Sequence, residues 1–137
     1  MNKEEFLLDM LDYYTVDPEG RRCRDENNCY YSPETVHKPT SEGCAIGRKL
    51  DRQVANNIDG KYHNAMGITY ILDERFEGIP DYMYELGDDF LTMCQDLHDR
   101  NEHWDFTNMF LSKEGKDGVA HIIRCHGLDK SKFEKYL

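Results

Sequence analysis

The stretch YMYELGDDFLTMCQDLHDR, residues 82–100, decides the fold class. Phe90, Leu91, Cys94, Leu97 and His98 recur at three- and four-residue intervals, which lines them along one stripe of an α-helix. Gly87 divides a short lead-in turn from the main helix. Pro80 followed by acids suits the helix start.

Working outward from this helix, the same period recurs on both sides. Toward the N-terminus, Lys3 to Tyr14 reads as an amphipathic helix that buries Phe6, Leu7, Met10, Leu11 and Tyr14, with Asn2 as its N-cap. Asp17-Pro18-Glu19-Gly20 reads as a turn. Toward the C-terminus, Trp104, Phe106, Met109, Phe110 and Leu111 form an aromatic cluster near a second short helix. Gly115 and Gly118 mark a break. A last helix runs from Asp117 to His126 with Val119, Ile122, Ile123 and Cys125 inward, and Gly127 is a C-cap signal.

Strand signals are sparse. Cys29-Tyr30-Tyr31-Ser32 is a short aromatic strand candidate, and Ile68 to Leu72 suits a strand or a short buried segment. Cys44 to Leu50 reads as a short helix. Residues 53–62 are ambiguous, because Asn56, Asn57, Asp59 and Gly60 favour turns. The expectation is an α+β, mainly helical single domain over residues 1–137, with a short β element near Cys29.

At 137 residues the chain fits one domain with one core. Its 39% hydrophobic and 32% charged residues make it polar but not disordered in composition. No run approaches the roughly 18 apolar residues of a membrane span, and Met1 to Phe6 lacks a basic segment followed by an apolar one. A cytoplasmic protein is expected. The net charge of −10 repels nucleic acid and anionic lipid, so neither is expected as a direct partner. Ten acids lie between Asp73 and Glu102 against Arg75 and Arg100, concentrating the charge. The five cysteines, an odd number without a secretion signal, read as free thiols or metal ligands.

Four constellations could carry chemistry. Cys44 lies between Gly43 and Gly47 at a helix start, where the dipole favours thiolate. With His98 as base and Asp99 behind it, Cys44 would be a nucleophile. Cys94 and His98 are four apart on one helix and His121 and Cys125 four apart on another, so facing helices would present a Cys2His2 set to zinc. Cys23, Cys29, His37 and Cys44 lack the tight Cys-x2-4-Cys that opens a zinc site. The adjacent His98-Asp99 resembles the HD phosphohydrolase signature, but the further His and Asp ligands cannot be assigned. Signatures of P-loop, dinucleotide-binding, zincin and serine-hydrolase sites are missing from the chain.

Cys29-Tyr30, Gly43-Cys44-Ala45-Ile46-Gly47 and Gln95-x-x-His98-Asp99, in that order, resemble the pattern of a widespread group of small uncharacterised proteins encoded by tailed phages and prophages. His126-Gly127-Leu128 after a closing helix, and an amphipathic opening helix, extend the resemblance over most of the chain. The chain departs from the pattern by a longer insert, Ser32 to Ser41, and by extra cysteines. The resemblance implies a phage accessory protein of a kind that often binds and disables a host factor, including defence nucleases.

The leading expectation is therefore a protein that binds and modulates a host or defence protein, itself nucleic-acid-binding and basic. Its contact surface would be the acidic region Asp73–Glu102, with Asp73, Glu74, Glu77, Asp81, Glu85, Asp88 and Asp89 as its binding residues. This reading needs no cofactor. The second reading is a thiol-dependent hydrolase or transferase using Cys44, His98 and Asp99. The third is a small zinc-stabilised domain using Cys94, His98, His121 and Cys125.

Overall fold

Helix α1 spans Lys3–Tyr14, and its five predicted apolar residues are buried. Asn2 and Glu5 close a reciprocal capping box at its start, satisfying two backbone N–H groups that the helix itself leaves open. The computed structural model describes residues 1–26, 28–62 and 67–137. Asp17-Pro18-Glu19-Gly20 tightens into a one-turn helix α2 (Pro18–Arg21), with Asp17 as its N-cap and Pro18 in the first turn.

The ambiguous segment is helix α3 (Arg52–Tyr62). Its turn-forming residues are overridden by burial of Ala55 and Ile58 and by the long-range bonds of Asp59. Residues 68–72 fall in helix α4 (Ile68–Asp73) rather than a strand, because Ile68, Ile71 and Leu72 bury one face. Helices α5 (Asp81–Leu86) and α6 (Asp88–Asp99) follow, divided at Gly87, whose φ is +85°. Phe90, Leu91, Cys94, Leu97 and His98 of α6 are all buried, as their spacing predicts.

The hairpin is where sequence and structure differ most. Strands β1 (Trp104–Asp105) and β2 (Phe110–Leu111) pair antiparallel across the segment expected to approach a short helix. Asp105 accepts from the N–H groups of Thr107 and Asn108, an Asx turn that competes with helix. Phe106 and Met109 at the turn are exposed. Near Cys29 the β element is a single bridge, Arg24 to Cys29.

Helix α7 (Lys113–His126) starts four residues earlier than expected, capped by Ser112. Gly115 and Gly118 lie inside it, not at a break. A Cβ on Gly115 would sit 2.0 Å from the His103 carbonyl oxygen, so the glycine permits close passage of the chain rather than ending the helix. Gly127 is left-handed, as a C-cap requires. Cys125, expected inward, is exposed. At 100° per residue it falls roughly 110° from the stripe set by Val119, Ile122 and Ile123. A final 3₁₀ segment (Lys130–Tyr136) buries Phe133 and Tyr136. One apolar cluster thus contains residues from Phe6 through Tyr136, as a mainly helical α+β domain should. No helix among the described residues is long and apolar enough to cross a membrane.

Candidate functional site

The C-terminal end of α6 is where the three short motifs meet. Gln95 accepts from the Ile46 N–H (3.4 Å) and donates to the Asp99 carboxylate (2.9 Å). His98 Nε2 accepts from the Cys23 N–H (3.1 Å), while Nδ1 lies 2.6 Å from Asp99 Oδ1. Cys29 Sγ reaches the Asp99 carbonyl at 4.0 Å. A single α-helical turn, Gln95 to Asp99, therefore bonds both cysteine-bearing segments.

The glycines around Cys44 serve close approach. A Cβ on Gly47 would lie 1.9 Å from the Tyr31 carbonyl oxygen, and Gly43 has φ +127°. The Tyr14 hydroxyl donates to the Gly43 carbonyl (2.5 Å). Only the end of the expected helix is regular, a 3₁₀ turn over Gly47–Lys49. Beneath it, the buried Asp59 carboxylate accepts from the N–H groups of Tyr31 and Ser32 and the Thr35 hydroxyl. It takes no part in any ion pair among the described residues.

The N-terminal effect expected at Cys44 is present, but it loses to burial. The Gly47 N–H points at the sulfur (3.2 Å). Complete burial nevertheless pushes the thiol well above its ordinary value, and Cys23 and Asp99 add to that, against the pull of the Gly47 and Ile46 N–H groups. Cys23 and Cys29 are pushed up to about 12, each chiefly by burial. Cys44 and His98 share no hydrogen bond among the described residues.

His98 is itself committed. Because Nε2 accepts an N–H, a neutral ring carries its proton on Nδ1 and donates it to Asp99. Burial lowers the imidazole's pKa, with Arg22 and Arg24 pulling the same way against Asp99. The ring also packs edge-on to Tyr14, with centroids 4.8 Å apart. His98 and Asp99 are together, as the thiol-enzyme reading requires, but both ring nitrogens are engaged elsewhere than at Cys44.

The zinc set does not converge. Cys94 and His98 are buried on α6, whereas His121 and Cys125 sit exposed on α7, with sulfur and ring nitrogens 3.6 and 3.8 Å apart. His37 is exposed, away from the buried Cys23 and Cys44. Among the described residues the one group of three metal-ligating side chains with ligand atoms within 4.8 Å is Cys29, His98 and Asp99. A cation fits poorly there. Nδ1 and Oδ1 stand at hydrogen-bond distance, and the guanidiniums of Arg22 and Arg24 already crowd Asp99.

Periodicity and motif spacing do not single out Arg22 and Arg24. Arg22 is 2% exposed and donates to the carbonyls of His98 (2.7 Å) and Asp99 (2.8 Å) and to Asn101 Oδ1 (2.9 Å). A cation at the carbonyl end of α6 complements the helix dipole. Burial holds it down to about 10. The one available signal was three arginines within four residues (Arg21, Arg22, Arg24) of an acidic chain.

The acidic run is laid out differently. Asp73, Glu74, Glu77, Asp81, Glu85 and Asp89 are exposed and Asp88 is half-buried. None of them forms an ion pair among the described residues. Arg75, in their midst, stacks instead on Tyr84 (5.1 Å). Further along, Asp96 and Glu102 do pair, both with Arg100. Compared with family models, with curated proteins and with solved structures, the chain matches none.

Proposed function

We propose that the protein acts by binding and modulating a partner protein through the acidic face from Asp73 to Asp89. The observation that carries this reading is the set of exposed carboxylates that form no ion pair among the described residues. Asp81, Asp88 and Asp89 complement helix N-termini, which gives them a local reason. Asp73, Glu74, Glu77 and Glu85 have no such reason. Like charges held together raise the energy of the free protein and favour a basic partner, chiefly by steering encounter.

The partner class follows from the charge. A basic, nucleic-acid-binding protein of the host is the natural complement. The motif resemblance supports placing the protein among phage accessory proteins that act on host or defence proteins in the host cytoplasm. Among the described residues His98 shares no hydrogen bond with Cys44, and Cys94, His98, His121 and Cys125 do not converge, so the thiol-enzyme and zinc alternatives have less support.

The test pairs the intact protein with purified basic nucleic-acid-binding host proteins and measures affinity across salt. The expected dissociation constant for the true partner weakens by about tenfold or more between low and high salt. Reversing Asp73, Glu74, Glu77 and Glu85 to lysine should abolish the interaction. Affinity indifferent to salt and to these reversals would remove the acidic-face mechanism.

A further inference from the structure

A thiol and an imidazole stand one turn apart on the outside of α7. His121 and Cys125 are both exposed, outside the buried stripe of Val119, Ile122 and Ile123. Their four-residue spacing points both side chains the same way. The Cys125 sulfur lies 3.6 Å from His121 Nε2 and 3.8 Å from Nδ1. The distances are nearly equal, so the ring offers both nitrogens to the sulfur and aims neither alone at it. A directed hydrogen bond would single out one nitrogen. Neither side chain has a further hydrogen bond or ion pair among the described residues.

The separation suits a soft divalent cation. Tetrahedral zinc, with Zn–S of about 2.3 Å and Zn–N of about 2.0–2.1 Å, holds a sulfur and a nitrogen ligand about 3.6 Å apart. Sulfur and Nε2 already stand at that distance. The ring is exposed, so a turn about its own side-chain bonds brings Nε2 to bear on an ion held by the sulfur.

The chain supplies half of such a site. Structural zinc sites are closed by four ligands. Asp117, one turn before His121, pairs with Lys113 (3.3 Å). Across the groove between α6 and α7, His103 Nδ1 lies against the Leu97 carbonyl (3.1 Å) and Asp96 pairs with Arg100 (2.8 Å). Among the described residues the one group of three ligating side chains within 4.8 Å is elsewhere, at Cys29, His98 and Asp99. A twofold axis through the ion supplies the missing pair, because an isologous contact repeats each ligand from the second copy.

We propose that His121 and Cys125 form half of a zinc site that two copies of this chain complete as a Cys2His2 tetrahedron. On binding, each Cys125 thiol gives its proton to solvent. The two thiolates balance the charge of the ion, and two neutral imidazoles fill the remaining positions. Two chains of net charge −10 repel each other, so the dimer forms with zinc and comes apart without it. Cys94 and His98 stay in the core and take no part. This site is separate from the acidic face and does not depend on what that face binds.

The test adds zinc chloride to the untagged full chain, stripped of metal, and follows its mass by sedimentation. Zinc is expected to double the mass at one ion per two chains, and EDTA to reverse the change. Cobalt in place of zinc should give a thiolate-to-metal charge-transfer absorption. Zinc should also slow alkylation of Cys125 by about tenfold or more. C125S and H121A should each abolish the zinc-dependent dimer while keeping the native circular dichroism, since both positions are exposed. A mass unchanged by zinc, one ion bound per chain without a dimer, or a zinc-dependent dimer that survives in either variant would each overturn the proposal.

Discussion

The junction around His98 and the run from Asp73 to Asp89 both carry residues that can do chemistry, yet they use them in opposite ways. At the junction, the imidazole, its carboxylate, the Gln95 amide and the Arg22 guanidinium all bond within the chain. The burial of His98 and Cys44 is complete. On the acidic run the carboxylates are exposed, Asp88 half so, and none of them forms an ion pair among the described residues. The junction's chemistry holds the fold together, because an unsatisfied buried polar group there would cost about 1–3 kcal/mol. The acidic run contributes little to the fold, and the proposed function assigns it to a partner.

The largest expected effect tests the junction. His98→Ala strands the Cys23 N–H, frees Asp99 and opens a cavity, so it should destabilise by about 3 kcal/mol or more. Urea denaturation measures this; a loss under about 1 kcal/mol would break the contrast between the two regions. Gly47→Ala follows. Its Cβ would press on the Tyr31 carbonyl, and the rigid backbone on both sides should make it cost about 1–3 kcal/mol.

A pH dependence sharpens the same point. The folded-state pKa of His98 lies below its unfolded value of about 6.5. As pH falls through about 6.5, the unfolded chain takes up a proton that folded His98 refuses, so the stability from its neutral form is lost toward acid. His126 is shifted the same way and adds to the slope. Denaturation midpoints at several pH values should therefore fall on acidification, and less steeply in His98→Gln. An equal slope in the variant would remove His98 from the account. The smallest effect belongs to the other region. Reversing Asp73, Glu74 and Glu77 to lysine should change stability by under about 0.5 kcal/mol each, with a slight gain from relieved repulsion. A large loss would show the acids to be structural.

How much of this was legible in the sequence follows from the range of the interactions. Helices α1 and α6 were legible because their apolar spacing, and the capping box of α1, are local signals. Helix α3 was not, since Asp59 earns its place by bonding Tyr31 and Ser32, some 28 residues away. The hairpin hid behind an aromatic run whose turn is set by Asp105. At the site, spacing placed Cys94 and His98 together on one buried face. It could not show that His98 meets Cys23 instead of Cys44, or that Arg22 caps a helix 76 residues later. Cys125 was a misjudged angle that helix geometry alone could have corrected.

The most direct measurement is the alkylation of Cys44 in the folded protein, followed residue by residue with the exposed Cys125 as internal standard. Cys125 should label at the rate of a free thiol. Cys44 should label at least about a thousandfold more slowly, accelerating only as urea opens the fold. Labelling of Cys44 as fast as Cys125, with an apparent pKa below the ordinary value of about 8.5, would contradict the account and restore Cys44 as a nucleophile.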